Sequence, residues 1–299
     1  MHPLVSVIIP TFNQSAYLVQ AIGSVLAQTY AAVEVIVIDD GSTDDTPQAV
    51  ASFGTHVRYF RQDNRGTAAA RNAGIAQARG SLIAFLDHDD LWEPQKLQLQ
   101  APMFAADPAL GLVYSAIRFF DDKTGRVTAE HFPGDNLSFH DLLGHEIISL
   151  QSSVIPKAAL DAIGGFDKSL FGADDWDLCI RLTARYGARG VNVPLVNIRL
   201  HSAHASSAAE RLYQNEWAVL RKNSKHHTNC PACRAAIRQT RRTLRAAQYN
   251  RRCSRAKSEF GQGKIVAALA TRCRAVLNYP VAVGRLPRRV AEAVGWMPS

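Results

Sequence analysis

Short apolar runs that stop at acids or turn residues alternate with helix-spaced stretches along the first 90 positions of the chain. Residues 4–9, Leu-Val-Ser-Val-Ile-Ile, form a near-continuous apolar run of the kind buried on both faces of a sheet, and Pro10-Thr11-Phe12-Asn13 ends it with turn residues. Over residues 14–28, Tyr17, Leu18, Ile22, Val25 and Leu26 recur at helical spacing. A second apolar run, 33–38, stops at Asp39-Asp40-Gly41-Ser42-Thr43-Asp44. Strand, helix, strand in that order predicts a parallel unit whose right-handed crossover puts both strand ends on one edge of the sheet. Thr11, Asn13, Asp39 and Asp40 should then meet in one crevice.

A short helix after Asp44, a strand near 57–60 and a turn at Asn64-Arg65-Gly66 come next. Thr67 is expected to cap a helix over 68–78 that carries Arg71 one turn inside its N-terminus, where a cation and free backbone N–H groups can jointly meet a phosphate. A solvated helix residue is the plainer reading of Arg71. The apolar run 81–86 then leads into Asp87-His88-Asp89-Asp90. Carboxylates crowded at the end of a buried strand repel one another unless a hard cation or a basic ligand is present; a solvated acidic turn is the alternative. Neither G-x-G-x-x-G after the first strand nor G-x-x-x-x-G-K-[ST] occurs, so phosphates would be held by metal and side chains.

Beyond the acids, a helix from Trp92-Glu93-Pro94 to about residue 106 and a long strand over 110–120 are expected, followed by a polar hairpin connection or loop over 121–136. A short strand over 151–155 and a helix over 157–162 lead to Gly164-Gly165-Phe166-Asp167, whose paired glycines allow close approach to a ligand. Asp174-Asp175-Trp176-Asp177 opens a helix running to about residue 186. Acids suit the first turn of a helix, but three around a tryptophan exceed what a cap needs. Residues 196–201 alternate like an edge strand and deliver His201 into a Ser/His/Ala-rich loop, 202–207. A lone histidine is more often structural than catalytic.

Charge divides the chain. From residue 208 onward there are 19 Lys+Arg against 4 Asp+Glu, and before it 15 against 22, an acidic body followed by a basic tail within a total of +8. The 299 residues can bury a full core, and 47% hydrophobic with 20% charged residues argues against disorder. Met1-His2-Pro3 lacks a basic n-region and a long apolar core, so no signal peptide is expected, and no apolar stretch approaches the ~18 residues of a membrane span. Five cysteines, an odd number, fit a reducing compartment. A cytoplasmic protein is the simplest outcome.

Taken together, the segments resemble the family 2 glycosyltransferases, inverting, nucleotide-sugar-dependent enzymes of the GT-A fold. The likeness rests on Ser6-Val7-Ile8-Ile9-Pro10-Thr11-Phe12-Asn13, Val37-Ile38-Asp39-Asp40-Gly41-Ser42-Thr43-Asp44, Arg71-Asn72-Ala73-Gly74, Asp87-His88-Asp89-Asp90, Gly164-Gly165-Phe166-Asp167, Asp174-Asp175-Trp176-Asp177 and the Arg199-x-His201 ending. It covers about residues 4–207. The fold it implies is α/β, a Rossmann-like, mostly parallel central sheet flanked by helices, as a 1–207 transferase domain with a basic α-helical extension over 208–299.

The resemblance also assigns roles. Pro10, Thr11, Asn13, Asp39, Asp40, Arg71 and Asp87 would bind the nucleotide, UDP being the expected carrier. Asp89 and His201 would hold a divalent cation, Mn2+ or Mg2+. Gly164, Gly165, Asp167 and Trp176 would border the donor sugar and acceptor. Asp175 would be the general base, with Asp174, standing where many relatives have Glu, as its partner in the acidic pair. The acceptor would be a glycan or a lipid-linked glycan precursor of the cell surface. A sugar nucleotidyltransferase and an inactive nucleotide-binding scaffold remain alternatives, although the first should carry a Gly-rich basic loop that Pro10-Thr11-Phe12-Asn13 does not provide.

In the tail, Arg234, Arg238, Arg241, Arg242, Arg245, Arg251, Arg252 and Arg255 cluster with few interleaved aromatics and no recognisable nucleic-acid fold, which favours an anionic membrane surface on the inner face over nucleic acid. A solvated helical face explains them equally simply. His226-His227-Thr228-Asn229-Cys230-Pro231-Ala232-Cys233 raises zinc, yet no second Cys-x-x-Cys follows, and Thr228 or Asn229 capping a helix with Pro231 in its first turn accounts for the string without metal.

Overall fold

The computed structural model describes residues 2–144, 147–200, 209–225, 230–262, 264, 265, 269 and 271. The chain starts with β1 (Val5–Thr11), buried at every position, α1 (Ser15–Leu26) and β2 (Val33–Asp39). α1 buries Leu18, Ala21, Ile22 and Val25; of the expected stripe, Tyr17 is half-buried and Leu26 is exposed. Next come α2 (Thr46–Ala51), β3 (Val57–Arg61), α3 (Thr67–Gln77) and β4 (Leu82–Phe85). The N-cap of α3 is Gly66, at φ 86°, with no side-chain cap, so Thr67 is the first helical residue rather than the expected cap.

The single helix expected after Trp92 is three pieces. β5 (Leu91–Trp92) is followed by α4 (Lys96–Gln100) and α5 (Met103–Ala106), broken at Pro102, whose missing N–H cannot continue the ladder. β6 (Leu110–Asp121) and β7 (Val127–His131) form the hairpin, and α6 (Phe139–Gly144), β8 (Val154–Pro156), α7 (Lys157–Ile163), α8 (Asp174–Thr183) and β9 (Gly187–Leu200) complete the body. Among the described residues two helices follow, α9 (Ala209–Ser224) and α10 (Pro231–Gly261).

Among the described residues nine strands make one sheet, in the order β3-β2-β1-β4-β8-β6-β9-β5, with β7 on β6. β3, β2, β1, β4, β6 and β9 run one way, and β8 enters antiparallel between β4 and β6. β9 is flanked by β6 and β5 where Val196 and Asn197 pair on both sides, so it is interior there and not the expected edge. Strand order reverses at β1, between β2 and β4, and Thr11 stands level with Asp39. In open α/β sheets that switch point is where strand ends open a crevice.

Two apolar layers cover the sheet. Val7, Ile9, Leu18 and Ile22 pack on one face; Ile8, Phe85, Leu178 and Ile180 pack on the other, where Phe85 and Phe166 meet edge-on at 5.2 Å. Full burial of each such side chain contributes about 1.5–3 kcal/mol. α9 adds Val219 to this second layer, and Lys222 reaches Asp177 at 3.0 Å and Asp167 at 2.6 Å. The first tail helix is thereby packed against α8.

Candidate active site

A cleft of about 720 Å³ opens at the carboxyl ends of β1, β2 and β4. Pro10, Thr11, Asp40, Arg71, Asp87, Asp89, Asp174 and Asp175 line it, so eight of the residues singled out in the sequence, drawn from segments 165 positions apart, share one wall. His201 lies outside the described residues.

Asp40 directly follows β2, its carboxylate already engaged. It accepts from the backbone N–H of Arg65 (2.9 Å) and Gly66 (2.8 Å) and from Gln62 Nε2 (2.7 Å), which fixes the loop ahead of α3. Asp39, fully buried, accepts from Ser42 N (2.7 Å) and Tyr59 Oη (2.5 Å). Asn13 accepts from Thr43 N at 2.9 Å and donates its own backbone N–H to Ser42 at 2.8 Å. Asp39 and Asn13 tie the loops that carry the wall and do not line the cleft.

The four-residue acid turn separates by environment. Asp90 is buried and accepts from Arg199 N at 2.8 Å; burial, then the charges of Asp89 and Asp87, push its pKa well up. Asp87 accepts from Arg71 Nη2 (2.8 Å) and Gln151 Nε2 (2.6 Å). Asp89 is half-buried, and its backbone carbonyl accepts from Arg199 Nε at 2.8 Å. Arg199 also reaches Asp122 (2.6 Å) and Gln20 (2.9 Å) and lies over the Tyr17 and Phe120 rings, so one buried guanidinium clamps the turn from below.

Oxygen donors at the mouth of a cleft suit a hard divalent cation. His88 Nε2 is buried without a hydrogen-bond partner and sits inside the same turn, an orphaned polar atom of the kind a bound group satisfies. Among the described residues the acids do not bring three ligand atoms into one coordination sphere. A cation here fits the mode in which one or two carboxylates are supplemented by substrate phosphates and water.

Arg71 joins the turn to α8. Its Nη1 stands 3.1 Å from Asp174 Oδ2 while Nη2 holds Asp87, and its guanidinium lies over Phe166 at 5.5 Å. Burial opposes the charge, but Asp87, Asp174 and Asp175 outweigh it and raise its pKa further. The Arg71 Nε remains unpartnered. Asp175, next along α8, accepts from Trp176 N at 2.8 Å; burial first, then the Asp174 charge, push its carboxyl up to about 6.

Four residues expected at the donor sugar stand off the cleft. Trp176 is buried and donates Nε1 to Leu142 O at 2.7 Å, a core contact. Gly164, at φ 78°, ends α7, and a Cβ on Gly165 (φ 66°) would meet Asn72 Oδ1 at 2.5 Å. Asn72 holds that turn by accepting from Phe166 N and donating to Phe166 O, both at 2.9 Å. Gly165 therefore lets Asn72 of α3 approach closely, and Gly164 supplies the left-handed cap of α7. Asp167 is held low, at about 2, by Lys222 and Ser169 against the opposing effect of burial. Gln151, Lys168, Phe171 and Arg211 line the cleft without having been singled out; none sits in a motif, and only the fold brings them there.

The sequence profile described as Glycosyl transferase family 2 matches residues 6–164, and so spans β1, β2, β4 and the acid turn. The chain belongs to that family. It is 33% identical over 214 residues to an uncharacterized glycosyltransferase of Rickettsia typhi, covering 69% of this chain and 67% of the relative. It is 32% identical over 207 residues to Escherichia coli chondroitin synthase, covering 68% of this chain but 30% of that protein. Two solved structures share the fold of this glycosyltransferase. Staphylococcus aureus TarS 1-349 with UDP has TM-score 0.63 at 18% identity, covering 91% and 81% of the two chains. The Pyrobaculum calidifontis mannosyltransferase with GDP-Man and Mn2+ has 0.62 at 23%, covering 94% and 82%. The GT-A architecture expected from the motifs is thus the fold of the chain.

Proposed function

We propose that this glycosyltransferase moves a sugar from a nucleoside diphosphate donor, with UDP as carrier, to a hydroxyl of a glycan or lipid-linked acceptor in one inverting displacement. That assignment rests on a split between two neighbours. Asp174 is neutralised by Arg71, whereas Asp175, with its carboxyl raised to about 6, has no ion pair among the described residues. A carboxylate ionised at neutral pH and poised near it is suited to take the acceptor hydroxyl proton. Asp175 is therefore the base, and Asp174 with Arg71 sets its charge and position.

Pro10, Thr11, Asp40, Arg71 and Asp87 form the nucleotide wall, supported from behind by Asp39 and Asn13. Asp89 is the residue that would hold Mn2+ or Mg2+, which supplies a Lewis acid for the charge on the leaving diphosphate. Arg65, Lys168 and Arg211 face the same cleft and add positive charge. UDP in the TarS structure, and GDP-Man with Mn2+ in the mannosyltransferase, support a nucleotide donor and a divalent cation as the classes to test.

The tail adds a peripheral contact with anionic membrane. On α10, Arg234, Arg238, Arg241 and Arg245 are exposed at helical spacing, each about 100° around the helix from the buried Cys233, Ile237, Thr240 and Leu244 that precede them. No helix among the described residues is long and apolar enough to cross a membrane.

A panel of nucleotide sugars with Mn2+ or Mg2+, read by nucleotide release, tests the proposal. Release that depends on one donor and is lost in Asp175→Asn supports it. Pyrophosphate release from a sugar phosphate and a nucleoside triphosphate would favour the nucleotidyltransferase, and UDP binding without turnover of any donor would favour the scaffold.

A further inference from the structure

We propose that His140, Cys230 and Cys233 form a zinc site that pins the tail helix α10 to α6. Cys230 and Cys233 open α10, and His140 lies in α6, 90 positions earlier than Cys230, so sequence spacing alone could not connect them. The three ligand atoms lie within 4.8 Å of one another, the one group of three such atoms found among the described residues. His140 Nε2 stands 3.4 Å from Cys230 Sγ. Two ligands on one tetrahedral zinc, at about 2.3 Å for sulfur and about 2.0–2.1 Å for nitrogen, are separated by about 3.5–3.6 Å.

The thiols have an environment suited to thiolate ligands. Cys230 Sγ is the N-cap of α10 and accepts the Cys233 backbone N–H at 3.4 Å, so a donor already faces the sulfur that would carry charge. Cys230 thus holds the capping position expected of Thr228 or Asn229, which lie outside the described residues, as do His226 and His227. Helix capping accounts for Cys230 alone. It does not explain why Cys233, 1% exposed, and a histidine from another element converge on the same point. Two thiolates and an imidazole select zinc over the oxygen-seeking Mg2+ and Mn2+.

The position gives the site a purpose. α6, α9 and α10 share a small core of Leu143, Leu220, Cys233, Ile237 and Leu244, and Thr240 Oγ1 donates to the α6 carboxyl-end carbonyls at 2.7 Å. The adjacent Leu142 carbonyl holds Trp176, the neighbour of Asp175. Zinc at one end of α6 would thus fix the tail against the element that steadies the catalytic helix.

The test uses full-length protein purified without added metal or chelator, with zinc measured by plasma mass spectrometry and thiols by titration. About one zinc per chain is expected, falling at least tenfold in Cys233→Ser and in His140→Ala, and unchanged in Asp89→Ala. Cobalt exchanged into the wild type should show tetrahedral visible bands and a thiolate charge-transfer band. Chelation of the unmutated protein should lower its Tm, with zinc restoring it, a reading that needs no variant to fold. Absence of zinc in the wild type, a Cys230–Cys233 disulfide by mass, or full zinc retention in His140→Ala would each overturn the site.

Discussion

Arg71 Nη1 lies 3.1 Å from Asp174 Oδ2, and the two side chains are 7% and 5% exposed, so the first acid of the α8 pair is spent on a buried cation. Removing one partner of such a pair leaves an uncompensated buried charge, which costs about 3–5 kcal/mol. Arg71→Ala should lower unfolding free energy by that order in urea titrations. Arg71→Lys should recover only part of it, because an ammonium cannot fork between Asp174 and Asp87 as the guanidinium does. Equal stability for Arg71→Ala and wild type would show that the bridge contributes nothing.

On the proposed assignment, Asp175 should differ from its neighbour in activity and in pH response. With its folded pKa at about 6, kcat/KM should fall with unit slope as pH drops below that value. Asp174→Asn removes the like charge that raises it, so the acid limb should move to lower pH. Asp175→Asn should reduce kcat about 10²–10⁴-fold at pH 7.5.

Stability carries the opposite sign. A carboxyl raised from its ordinary value in the folded state binds more protons folded than unfolded, so its contribution is present below about 4 and lost as pH rises through about 6. Asp175→Asn should therefore be less active yet melt higher than wild type at neutral pH. A variant that melts lower would contradict the assigned charge state.

The Arg199 clamp predicts a metal phenotype without contact to metal. Its side chain holds the Asp89 carbonyl, Asp122 and Gln20, and its backbone N–H holds Asp90. Losing a group that orients a metal-binding turn typically weakens affinity about 10–100-fold. Arg199→Met should raise the Mn2+ concentration for half-maximal activity by that factor, with kcat at saturating metal affected less. A loss of kcat with unchanged metal response would place Arg199 outside this role.

Strand ends were the legible part of the site. Pro10, Thr11, Asp40 and Asp87 follow apolar runs whose parallel order dictates one shared edge, so their meeting follows from periodicity and crossover handedness. Gly165 and Asp167 could not be placed that way. Paired glycines read alike whether the close neighbour is a ligand or, as here, Asn72, and an acid reads alike whether it faces substrate or Lys222. Gln151 and His140 carry no local pattern; their roles arise from contacts to Asp87 across 64 positions and to Cys230 across 90. The helix expected from Trp92 to about residue 106 splits at Pro102 because proline lacks the N–H that the ladder needs.

The arginine face of α10 separates charge from packing. Arg238, Arg241 and Arg245 are exposed, whereas Ile237, Thr240 and Leu244 bury the neighbouring stripe against α6 and its neighbours, so deleting the helix would also uncover a core. Charge reversal is the cleaner intervention. Each basic residue near an anionic surface contributes about 1 kcal/mol, so the triple Arg238→Glu, Arg241→Glu, Arg245→Glu variant should lose well over a hundredfold in affinity for phosphatidylserine vesicles while keeping its thermal transition. Wild-type binding should also fall steeply between low and physiological salt. Binding that is unchanged by the triple reversal, or indifferent to salt, would leave this stripe as a solvated helical face.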